Sequence, residues 1–346
     1  MSRLIILVGI ILCLAIPVSA EEYTMPAVPD AAQDLMPVET TSFGKDLWKI
    51  IQEATQRLHP ELVKAAGLCV SVFAIVLLLS ITQTIPGDTE SVVRLVAALS
   101  AAVILLHQTG SLIDTASDTI HELSEYGKQL IPVMAAAMAS QGGITSSTAL
   151  YAGTAVFNAI LSNAIKLALI PMVYVFLVLS IASCATGQST LDKLRDFVKW
   201  LTVWILKIIL YVFTGYIGIT GVVSGSADAA TLKAAKLTIS GMIPVVGNIL
   251  SDASEAVLVG AGVMKSAVGI YGVLTLIALW ISPFLRIGIR YLLLKLTAAV
   301  SQLFGSKEIT DMIGAFCEAM GLLLAMTGGV SVMLLISTVC FMKGVG

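Results

Sequence analysis

Chemistry in this chain has to be sought among the few polar residues set into apolar runs. Asp252 and Glu255 stand three residues apart, on one face if the segment is helical. They close the stretch Gly241 to Glu255, in which Pro244 removes a backbone donor and Gly247 costs helix propensity. A broken helix bearing two carboxylates could line a pore or bind a cation; a surface helix with a solvated acidic face is the alternative. Lys166 falls near membrane depth in one apolar run and Lys207 in another. A charge at that depth costs about 2.5–3.5 kcal/mol, so it faces a bundle interior or an aqueous path, unless its stem snorkels to the interface. Asn158 and Asn163 read as hydrogen-bond partners between helices.

Nothing assembles into a catalytic centre. His59, His107 and His121 fall in separate places, and no HExxH, GxSxG or paired-carboxylate arrangement with a base occurs. The run Gly260 to Ser266 resembles a phosphate loop only superficially: it lacks the glycine directly before the lysine and follows no strand. Cys13, Cys69, Cys184, Cys317 and Cys340 show no CxxC spacing and lie in or beside apolar runs, which reads as packing thiols. No catalytic residue, metal or cofactor is expected.

The elements that must position these residues are membrane helices. A mean hydropathy of +0.95 with 12% charged residues exceeds what a soluble surface tolerates. The apolar runs are continuous rather than alternating, which excludes a β-barrel. The reading is an all-α polytopic membrane protein with about six to eight transmembrane or re-entrant helices. Residues 1–20 carry Arg3, a short apolar core and Val18-Ser19-Ala20, the pattern of a signal peptide cut after Ala20. Residues 21–64 form an extracytoplasmic segment, with an amphipathic helix from Lys45 to Lys64 that covers either the membrane surface or the protein's own spans. Residues 65–125 hold two spans, Ala65 to Ile85 and Val92 to His107, and the start of an acidic outer loop, 111–128, with helical spacing. Further crossings are expected in Leu150 to Ala185, Trp200 to Val223, Ser266 to Leu285 and Gly314 to Phe341. The 36-residue run Leu150 to Ala185 must kink onto the interface or form a hairpin. Residues 287–304 read as interfacial. Lys193, Arg195 and Lys199, and again Arg286, Arg290 and Lys295, mark the cytoplasmic face. Gly215, Gly218 and Gly221 are spaced to let helices approach closely.

A degenerate parallel repeat runs through 126–223 and 238–342. Ile131-Pro132-Val133 recurs as Ile243-Pro244-Val245, and Pro171 and Pro283 each follow 39 residues after the triplet proline. Gly187-Gln188 followed by STLDKLRDF resembles Gly305 followed by SKEITDMIG. Repeats of this size put a site between the copies, near interrupted helices. On that ground Pro132, Lys166, Pro244, Gly247, Asp252 and Glu255 are the candidate pathway or gate residues.

The paired Ile-Pro-Val elements, and above all GMIPVVGNILSDASEAVLVGAGVMKSAVGIYG at 241–272, resemble the stage III sporulation protein AE family of endospore-forming Firmicutes. The resemblance implies a non-enzymatic scaffold or export-gate subunit of a channel-like, secretion-related complex in the mother-cell membrane around the forespore. Its implied partners are a cytoplasmic ATPase, small membrane proteins of the same operon, ring-forming proteins between the membranes, and stage II sporulation protein Q across that space. The bilayer is a further partner, nucleic acid is not, and a homo-oligomer stays open. The rival reading is a permease moving a small solute between the two repeats.

Overall fold

The computed structural model describes residues 26–37, 42–82, 90–140, 144–223, 267–304 and 307–343, all helix and short connections. A one-turn helix α1 (Asp30–Gln33) precedes α2 (Phe43–Gln56), and six long rods follow. These are α3 (His59–Thr82), α4 (Glu90–Ser140), α5 (Ile144–Ala164) continued through a π-helical turn Ile165–Leu169 into α6 (Ile170–Thr186), α7 (Ser189–Val223), α8 (Ala267–Ser301) and α9 (Lys307–Lys343). Each rod contains a segment long and apolar enough to cross a bilayer, six in all among the described residues. They match the six expected crossings in order. The signal peptide and the second Ile-Pro-Val element lie outside the described residues.

The core is the antiparallel α8–α9 hairpin. In its most apolar stretch α9 has 83% of its residues buried, against 28% in α3. A helix apolar all round has to be surrounded, and the consecutive Met333, Leu334, Leu335 and Ile336, which point to successive sides of α9, are all buried. Three of its hydroxyls are satisfied locally, Thr327, Ser337 and Thr338 donating to the carbonyls of Leu323, Met333 and Leu334 one turn back, whereas those of Thr310 and Ser331 are buried without a partner. Close approaches occur at glycines. A Cβ on Gly272 would press on Leu130 of α4, one on Gly127 on Leu334, and one on Gly153 would enter the ring of Tyr216. Gly215 and Gly218, expected to serve this purpose, face open space.

Several boundaries differ from the sequence reading, each for a local reason. Residues 111–128 are not a loop. They continue α4, a 51-residue helix that also contains Pro132. Leu112, Ile113, Ile120 and Leu123 are buried as their spacing required, while Asp114, Asp118 and His121 are exposed. No breaker stands between Glu90 and Ile131, and a proline so near the C-terminus forfeits only one intrahelical bond. The run Leu150 to Ala185 neither turns back nor leaves the bundle. Its interruption is the π turn just before Pro171, whose missing N–H sits where α6 resumes. Residues 287–301 extend α8 rather than forming an interfacial helix.

The amphipathic segment ends at Gln56, and Pro60 opens α3 as a first-turn proline. Its stripe of Ile50 and Ala54 is buried and packs on α8, so the segment covers the protein's own spans. Trp48 is off that stripe and 66% exposed.

The register between α3 and α8 changes the topology argument. Glu61 at the start of α3 lies 3.8 Å from Arg286 in the middle of α8, and Phe73 meets Phe304 with ring centroids 6.0 Å apart. Glu61 was expected outside and Arg286 inside, a hydrocarbon thickness of about 30 Å apart. Both placements cannot hold in one flat slab, because α3 is set well down the axis of α8.

Candidate functional site

Pro132 and Lys166 are the sequence-derived candidates that fall on described residues. Both are exposed. Asn158 on α5 is buried, and its Nδ2 donates to the Ser124 carbonyl of α4 at 3.2 Å, which sets these antiparallel helices in register. Pro132 is eight residues beyond Ser124 in one direction and Lys166 eight beyond Asn158 in the other. At 1.5 Å per residue they are separated by about 24 Å along the bundle. Pro244, Gly247, Asp252 and Glu255 lie outside the described residues, and the two candidates that are described are not brought together. Asn158 does join helices; Asn163 is exposed and joins none. Lys207 is half-buried on α7.

A polar site does form at the end of the bundle where α6 turns into α7. Helix α6 stops because Gly187 adopts φ 66°, a left-handed conformation that glycine takes without penalty, and its N–H bonds to the Ser183 carbonyl at 2.8 Å. The reversal brings Asp192 back over α6, where its Oδ1 accepts from the Ser183 hydroxyl at 2.7 Å. Arg195 lies between two carboxylates, 3.0 Å from Asp192 and 3.0 Å from Asp196, with its side chain only 17% exposed. One turn further, Lys199 donates to Glu318 of α9 at 2.6 Å and pins the two helices together.

Beside this turn is a cavity of about 150 Å³. One wall is Ser180, Ser183, Cys184, Asp192 and Arg195; the other is Lys307, Glu308, Asp311 and Met312 at the start of α9. Asp192 and Arg195 on the first wall and all four residues of the second fall in the two segments set side by side in the sequence, Gly187 onward and Gly305 onward. The signal was present, but only as an internal resemblance, and the gate candidates were drawn from the proline elements instead. Chemically the cavity offers three carboxylates, a guanidinium and an ammonium. It can hold a charged or hydrogen-bonding group. No histidine lines it, the Cys184 thiol is buried, and its one hydroxyl–carboxylate contact is the Ser183–Asp192 bond. Among the described residues no group of histidine, cysteine and carboxylates is arranged to hold a metal ion.

An aromatic ladder adjoins the charges. Phe197, Trp200 and Trp204 stack along α7 at centroid spacings of 6.0 and 5.9 Å, all about half exposed.

The family profile of stage III sporulation protein AE matches residues 32–344. Stage III sporulation protein AE of Bacillus subtilis (strain 168) is 24% identical over 270 residues, covering 78% of this chain and 68% of that relative. No solved structure matches. With the six apolar rods, these matches identify a multi-pass membrane protein with a role in sporulation. The chain belongs to the stage III sporulation protein AE family.

Proposed function

We propose that this protein is a non-enzymatic membrane subunit, a scaffold or export gate, of a secretion-like channel joining mother cell and forespore. It would sit in the mother-cell membrane around the forespore. The observation that carries the reading is the charged turn end. Lys307, Glu308 and Asp311 line a cavity with no ion pair of their own among the described residues, beside a clamped Arg195. Such a face suits protein contact better than solute passage. Exposed aromatics next to Lys193 and Lys199 favour placing this end at the cytoplasmic interface, where the implied ATPase works. Ring-forming proteins and stage II sporulation protein Q would then meet the opposite end.

The permease reading draws less support. Pro132 and Lys166 point outward at different levels rather than into a shared site. Reversing the charges, Lys307→Glu with Asp311→Lys, tests the proposal in sporulating cells. Normal protein levels with a drop in spore yield of about tenfold or more are expected, whereas normal spore yield would remove the turn end as a contact surface.

A further inference from the structure

The seam between α3 and α8 contains charge that no described residue balances. Arg290 is 6% exposed, and its Nη1 is buried without an acceptor. The charged groups that act on it are Glu61 and Arg286. Glu61 is already engaged, 3.8 Å from Arg286 and 3.5 Å from Lys64. Among the described residues three cations thus gather on one carboxylate, two positive charges in excess. A buried guanidinium without an oxygen partner is costly, and an anion that supplied one would relieve that cost.

Position says which anion. Glu61 and Lys64 immediately precede the apolar run that starts at Ala65, so on this flank the cluster lies at headgroup depth. The contacts Glu61–Arg286 and Phe73–Phe304 show α3 and α8 running the same way from there. Both present apolar side chains along that path: Phe73 on α3 and, 47% exposed, Phe304 just beyond α8. We propose that the seam seats an anionic phospholipid, its phosphate held by Arg286 and Arg290 and its acyl chains lying along these side chains. Arginine matches a phosphate bidentately, and the net positive charge selects an anionic headgroup over a zwitterionic one.

Native mass spectrometry of the full chain, purified in mild detergent and exposed to equal phosphatidylglycerol and phosphatidylcholine, reads the site directly. Retained phosphatidylglycerol is expected in the wild type. Retention should fall about tenfold in Arg286→Gln, an exposed position that keeps the fold, and in Arg290→Met. Glu61→Gln removes the competing carboxylate, so it should increase retention; a purely structural cluster would lose stability in all three variants with no lipid effect. Equal retention of both lipids, unchanged retention in the arginine variants, or stabilisation reproduced by inorganic phosphate alone would each overturn the proposal.

Discussion

Asn158 shows what one residue can and cannot disclose. An amide in an apolar helix has to find a partner, so its role between helices was legible; the identity of Ser124 was not, because that depends on register. Replacing it with alanine removes the bond between the helices, while the Ser124 carbonyl keeps its place in the α4 ladder. A loss of roughly 1–2 kcal/mol is expected, read as a lower melting temperature of the detergent-purified protein. Lys199 makes the contrasting case. Its 2.6 Å contact with Glu318 is short, but the two side chains are 35% and 45% exposed, so Lys199→Met should change stability by less than about 1 kcal/mol. Lys166 was weighed as a pathway charge because composition gives depth without direction. Direction comes from helix phase, and the π turn at Ile165–Leu169 shifts that phase where the lysine sits.

At the scale of elements, the apolar runs disclosed the number and order of the long helices, whereas the boundaries were obscured by weighing charge above periodicity. The acidic residues of 111–128 recur every three to four positions, a helical signal, yet four carboxylates suggested a loop. Glycine spacing misled in the same way, for Gly215 and Gly218 satisfy a close-packing pattern on a face that meets nothing. Paired substitutions separate the two kinds of glycine. Gly153→Leu would collide with the Tyr216 ring, whose hydroxyl bonds to the Ala149 carbonyl, and should lower the melting temperature markedly. Gly215→Ala should leave it unchanged or raise it, by up to about 1 kcal/mol of helix propensity. Equal effects at both positions would mean that the α5–α7 packing is wrong.

For the whole molecule, the fold class was legible because hydropathy alone demands it, but relative depth was not. Depth follows from how rods slide past one another, and the pairing of Glu61 with Arg286 moves α3 far down α8. Cysteines placed at these two positions should be bridged by a short bifunctional maleimide in isolated membranes; a failure to bridge would restore the unstaggered arrangement. Two helical hairpins, α6–α7 and α8–α9, bring the starts of α7 and α9 to one charged cavity. That convergence is the basis for treating the turn end as the contact face of a larger assembly. The measurement closest to this claim is affinity capture of the tagged protein from sporulating cells, with identification of what co-purifies. The account predicts recovery of a cytoplasmic ATPase and ring-forming proteins, diminished by the Lys307→Glu, Asp311→Lys double variant. Recovery of the protein alone, as a defined oligomer that moves a solute across liposomes unaided, would contradict it.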